Sequence, residues 1–162
     1  MAGTSDKRTV VAEIQAILAK ASPGQGEFLA ALDCALTHFD CVVGTIHGLN
    51  RETGMLELLA DRGIPEAIRG SVRVIPIGKG MAGIAAERLE PVQVCNLQTD
   101  ESGVAKPSAR LTAMKGSIAL PMLVNGELRG TFGVGKPSEY EFSADEADEL
   151  MKIGTAIGEH LP

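Results

Sequence analysis

GSIALPMLV (116–124), the pair Asn125-Gly126, and ELRGTFGVG (127–135) decide the fold. Two β-like runs joined by Asn-Gly form the strongest short-range hairpin signal, because both turn residues tolerate positive φ. On the first run, Ser117 and Ala119 alternate with Ile118 and Leu120. One face is therefore small and partly polar and the other greasy, as expected if a cavity lies on the first and helices cover the second. Downstream, 144–161 reads as a helix with Ala147, Leu150, Met151, Gly154, Ile157 and Leu161 on one stripe. Ile153 and Ala156 widen that stripe. Ser143 and Glu146 make a capping box, and Asp145 and Glu146 suit the positive end of the helix dipole.

Upstream, PVQVCN (91–96) is a brief strand, MAGIAAERL (81–89) a short Ala-rich helix and SVRVIPI (71–77) a short strand. CVVGTIHGL (41–49) and MLELLA (55–60) form an opening hairpin around NRETG, and RGIPEAIRG (62–70) is a turn with room for one helical turn. Two helices come first, over 9–21 (Val10, Val11, Ile14, Ile17, Leu18, Ala21) and 26–38 (Phe28, Leu29, Leu32, Ala35, Leu36). The polar stretch 97–115 has no clean periodicity, and irregular segments of that length usually serve as lids or binding loops. Helices gathered at both ends of a hairpin-rich core give an α+β domain with a mostly antiparallel sheet.

The chain has 162 residues, 44% hydrophobic and 22% charged, which suits one globular domain with a single core. Its 15 Lys and Arg against 21 Asp and Glu give a net charge of -6, which argues against a nucleic-acid partner. Aromatics are only 3%, too few for a base-stacking platform. No apolar run is long enough to span a bilayer, and MAGTSDKRTV lacks a signal core. The expected location is the cytoplasm, with no membrane partner. Cys34, Cys41 and Cys95 form neither a disulfide framework nor a zinc motif, so no metal site is expected and the thiols read as reduced and mostly buried.

Two glycine motifs mimic phosphate sites. GKGMAG (78–83) fits GxGxxG, but no strand–helix units follow to build a parallel sheet. Its glycines still leave free N–H groups before a helix, able to hold a small anion. GTFGVGK (130–136) continues into Pro137 where a P-loop needs Ser or Thr, so its glycines mark a bulge or a close backbone approach. His47 shares a strand face with Thr45; it is either part of a partly solvated sheet face or a polar group aimed into a pocket. Cys95 ends a strand before the long loop, as a core thiol or one reaching a pocket mouth.

The stretch VRVIPIGKGMAGIAAERLEPVQVCNLQTD (72–100) resembles the middle of GAF domains, and 116–158 and 41–65 resemble their closing and opening segments. The likeness covers about residues 26–160. It implies a six-stranded antiparallel sheet, related to that of PAS domains, with terminal helices on one face. On the other face, the short helix and long loop would cover a small-molecule pocket. GAF domains bind varied effectors, and many dimerise through their end helices. The free methionine sulfoxide reductases of the family carry a cysteine in this glycine turn, where this chain has Ala82. Their other cysteines would fall near Val72 and within 97–115, where there is none. The cyclic-nucleotide NKFDE set and a bilin-type Cys–His pair are also absent.

The expectation is a helical extension over 1–25 and a GAF-like domain over 26–162. Its role would be that of a sensory domain without catalysis of its own, its cofactor or ligand unnamed. The pocket should be lined by Thr45, His47, Gly80, Met81, Cys95, Met114, Ser117 and Ala119. A signal would pass by conformational shift to a signalling partner chain or through a homodimer of the helices at 9–21 and 144–161. The rivals are a divergent redox enzyme using Cys95 and a ligand-free dimerisation module.

Overall fold

The computed structural model describes residues 9–20 and 22–161. Ala21, counted above on the first helix's apolar face, lies outside the described residues, as do residues 1–8 of the expected extension and Pro162.

Helix α1 (Val10–Leu18) starts where the Thr9 hydroxyl accepts the Ala12 N–H at 3.1 Å. It buries Val10, Ile14 and Leu18, spaced to share one face. Helix α2 (Gln25–Phe39) opens with the Glu27 carboxylate accepting the Gly24 N–H at 2.7 Å, and stops at Asp40, where φ is 55°. Strands β1 (Val43–Asn50) and β2 (Met55–Arg62) pair antiparallel around a loop in which the Asn50 side chain accepts the N–H groups of Glu52 and Thr53. Ile46 faces Ala60 but His47 faces Leu58, which leaves Leu59 as the extra residue of a bulge.

Helix α3 (Glu66–Val72) corrects one expectation, since Ser71 and Val72 are helical and the following strand is only β3 (Val74–Pro76). The reason lies in capping. The Ser71 hydroxyl donates to the Ile68 carbonyl at 2.7 Å, and the Val72 carbonyl, orphaned at the helix end, is met by His47. Helix α4 (Gly80–Arg88) follows and ends at Leu89 with φ 58°, before β4 (Val92–Val94). The polar segment contains a 3-10 turn, Pro107–Thr112, closed by Ala113 at φ 62°.

Strands β5 (Gly116–Val124) and β6 (Glu127–Lys136) form the expected hairpin, with φ 54° at Asn125 and 80° at Gly126. Met122 faces Gly130 and Leu123 faces Leu128, so Arg129 is the extra residue beside Gly130. A β-carbon at Gly130 would collide with the His47 carbonyl, which is the close approach its glycine permits. Helix α5 (Ala144–Gly158) carries the capping box, with Ser143 N–H donating to Glu146 at 2.9 Å and Glu146 N–H donating to the Ser143 hydroxyl at 3.1 Å.

The six strands make one antiparallel sheet in the order β3-β2-β1-β6-β5-β4. One face sets Ile46, Ile118, Leu120, Met122, Phe132 and Val134 against α1, α2 and α5. That layer is the main core, and truncating a fully buried member such as Phe132 to Ala should cost about 3–5 kcal/mol. The opposite face carries Thr45, Ser117, Ala119 and Gly133, with α4 and the 3-10 turn over it. The architecture is α+β, with terminal helices on one face and loop-covered space on the other.

Candidate functional site

A cavity of about 160 Å3 lies on the second face. Its floor is sheet: Val43 to Thr45 from β1, Ser117 to Ala119 from β5 and Gly133 to Gly135 from β6. Glycine at 133 and 135 removes side chains that strand alternation would send inward, and the space follows directly. One wall is the end of α3 and β3 (Ser71, Val72, Ile75). The first turn of α4 (Gly80, Met81, Ala82) makes another. The cover is Leu97, Ala105, Lys106, Ala109, Thr112 and Met114.

The cover is tied down by two side chains. Gln98 donates to the Arg110 carbonyl at 3.2 Å and the Met114 carbonyl at 2.8 Å. Arg110 in turn donates to the carbonyls of Leu97 at 3.3 Å and Asp100 at 3.1 Å. These bonds use backbone acceptors of an irregular segment that has no sheet ladder to satisfy them.

The lining is mostly apolar, with few polar groups. Ser71, Thr112 and Ser117 each donate their hydroxyl proton to a backbone carbonyl, at 2.7, 2.7 and 3.4 Å. The Thr45 proton has no such acceptor among the described residues. The charged lining groups are Lys79 and Lys106. Gly80 has φ 68°, and a β-carbon there would lie 3.5 Å from Lys106 Cγ, so the lysine stem lies across the start of α4. That helix has no acidic residue in its first turn and no side-chain cap.

Thr45, Gly80, Met81, Met114, Ser117 and Ala119 thus surround one space. His47 and Cys95 do not. His47 is 1% exposed and sits one step beyond Thr45 on the same face, opposite Thr131. Its Nε2 meets the Val72 carbonyl at 2.7 Å, so it braces a wall residue rather than lining the space. That bond requires a proton on Nε2 and leaves Nδ1 as the acceptor of a neutral ring. Burial pushes the His47 pKa down, against the raising effects of that bond and of nearby Asp61. Nδ1 and the Thr131 hydroxyl have no hydrogen-bond partner among the described residues.

Cys95 corrects the expectation of a core or pocket thiol. Val92 and Val94 turn inward, and the two-residue period sends Cys95 to the exposed side. Cys34 is half-buried and Cys41 buried; burial raises both thiols to about 11. The lysines were missed in the sequence, although Lys79 stands inside the glycine turn and Lys106 in the loop that had to close over it. Ile64 was missed because 62–70 reads as a turn, and the end of α3 because 71–77 reads as one strand.

A sequence model described as GAF domain matches residues 28–161. The chain belongs to the GAF family. Among solved structures, the GAF domain of a phosphoenolpyruvate-protein phosphotransferase from Coxiella burnetii superposes with a TM-score of 0.77 at 16% identity, over 93% of this chain and 89% of that one. A free methionine-R-sulfoxide reductase from Neisseria meningitidis in complex with its substrate gives 0.74 at 16% identity, over 93% and 85%. A putative GAF sensor protein from Burkholderia vietnamiensis gives 0.74 at 16% identity, over 94% and 90%. At these identities the likeness is one of fold. A comparison with curated protein sequences gave no match. No helix among the described residues is long and apolar enough to cross a membrane.

Proposed function

We propose that this GAF domain is a non-catalytic sensor that binds a small molecule in the cavity on the sheet's second face. The observation that carries the reading is a largely apolar space under a segment fastened by Gln98 and Arg110. Concave, mostly apolar sites with a few placed polar groups are the usual form of small-molecule pockets. The floor strands β5 and β6 also carry the residues that pack on α1, α2 and α5, so a change in the cavity floor meets the terminal helices through one layer of sheet. A cytoplasmic homodimer or a partner chain reading those helices would complete the path.

The three thiols all lie outside the cavity wall, which weighs against a redox enzyme using Cys95. Native mass spectrometry of freshly purified protein, set beside the denatured mass, tests the proposal. The expected result is a non-covalent adduct lost on denaturation. A bare protein that also gives no thermal shift across a small-metabolite panel would overturn it in favour of a dimerisation module.

A further inference from the structure

We infer that the ligand is a small organic carboxylate, its apolar body beside Met81, Met114 and Ala119 and its charged head at Lys79 and Lys106. The inference rests on the ligand-binding reading above and adds a chemical class to it. It starts from a charge inversion. The chain carries 21 acidic residues against 15 Lys and Arg, yet the cavity wall includes two lysines and no acidic side chain. Neither ammonium has an ion-pair partner among the described residues. The carboxylate opposite Thr45 in the sheet, Asp61, is neutralised by Arg69 at 2.7 Å and does not line the space. A surface drawn at random from this composition would show acids there more often than bases. Lys106 is also placed, its stem packed over Gly80 rather than extended into water.

Size and wall chemistry narrow the class. The space of about 160 Å3 is close to the ~150 Å3 engineered cavity that takes benzene, so the occupant has roughly six non-hydrogen atoms. An inorganic anion would leave the methionine and alanine walls without contacts. A neutral apolar molecule would leave both lysines without a role. Butyrate, with as many non-hydrogen atoms as benzene, satisfies both ends.

The test uses the full chain with 13C-methyl methionine, because Met81 and Met114 line the cavity while Met55, Met122 and Met151 do not. Butyrate, its neutral amide butyramide and its cationic analogue butylamine are titrated separately. Butyrate is expected to shift the Met81 and Met114 methyls saturably, with butyramide binding at least about tenfold more weakly. Lys106→Gln should weaken butyrate by about tenfold and leave butyramide unchanged. Butyramide or butylamine binding as tightly as butyrate would overturn the carboxylate inference and leave a ligand-binding cavity standing. Unchanged butyrate affinity in the Lys79→Gln/Lys106→Gln double variant would also overturn it. No response of Met81 or Met114 to any of the three would overturn this inference, whereas the reading beneath it falls only on a bare native spectrum together with a silent metabolite panel.

Discussion

Two glycines three residues apart on β6 should respond oppositely to substitution. Gly133 faces the cavity, and a β-carbon there would meet only the Ile118 carbonyl and the Thr45 hydroxyl, each at 3.5 Å, which is ordinary contact. Its φ lies outside the left-handed region, so a side chain brings no backbone strain. Gly133→Val should therefore stabilise the fold. Restricting the unfolded chain contributes about 0.4–1 kcal/mol. Methyl groups placed against the apolar wall add roughly 0.8 kcal/mol per buried carbon, less the cost of fixing the rotamer. A net gain of about 1–2 kcal/mol corresponds to a rise in melting temperature of roughly 2–8 °C at this chain length. Those three carbons take up about half the space that benzene needs, so ligand binding should fall by at least about tenfold. Gly130→Ala is the contrast. Its β-carbon collides with the His47 carbonyl, and moving β1 from β6 should cost about 3 kcal/mol. Urea melts followed by circular dichroism, with native mass spectra of the same samples, read both quantities. Destabilisation by Gly133→Val would refute the reading of free space beside Gly133, and an undiminished adduct in that variant would refute the placement of the binding site in this cavity.

Lys136 is buried, donates to the Phe39 carbonyl at the end of α2 at 2.6 Å and lies 4.3 Å from the Tyr140 ring centroid. Lys136→Met should cost about 2–3 kcal/mol in urea melts, and a variant as stable as the parent would remove that bond from the account of stability. His47 has a folded pKa below its unfolded value, so the folded state binds fewer protons. Its contribution to stability is full above about pH 6.5 and is lost as the pH falls from there through the lower folded value. Urea midpoints should drop over that window with a slope from this one proton of at most about 1.4 kcal/mol per pH unit, and the His47→Gln variant should lack that component. Arg110→Ala removes the two carbonyl contacts that Arg110 makes within the cover; amide exchange across 97–115 should quicken about tenfold or more while global stability moves by less than about 1 kcal/mol. Unchanged exchange would mean that Gln98, the backbone bonds and the cluster of Val94, Leu97 and Met114 hold the segment without Arg110.

The sheet was legible because its signals are local. The Asn125-Gly126 turn fixes one hairpin, and the alternation of Ser117 and Ala119 with Ile118 and Leu120 separates cavity face from helix face without reference to anything distant. The capping box at Ser143 is equally self-contained. What failed to show depended on partners remote in the chain. The end of α3 is helical because His47, twenty-five residues away, donates its Nε2–H to the Val72 carbonyl, and no periodicity within 71–77 carries that information. Cys95 was placed by its position before a loop, when the side of a three-residue strand that faces inward is settled by Val92 and Val94. Lys79 and Lys106 reach one space only because the loop folds back over the α4 turn, and loops have no period from which to read that closure.

On the proposed reading, the size of the cavity also decides where a switch would have to sit. A ligand moves a conformational equilibrium only by the difference in its affinity for the two states. Carrying a population from 1:99 to 99:1 requires a difference of about 5.5 kcal/mol. A ligand of roughly six non-hydrogen atoms, even at the ceiling of about 1.5 kcal/mol per atom, binds with no more than about 9 kcal/mol. More than half of its contacts must then exist in one state and be missing from the other. The sheet floor cannot supply that difference, since Thr45, Ser117 and Gly133 are held on paired strands in a laddered core. The cover can. Leu97, Ala109 and Met114, with Lys106, reach the cavity from an irregular segment held by the side-chain bonds of Gln98 and Arg110, the Leu97–Lys115 backbone bond and one small apolar cluster, with no strand ladder along it. A small ligand therefore acts through this cover or acts weakly. The helices on the far face would read its closing through β5 and β6, whose backbones belong to both layers.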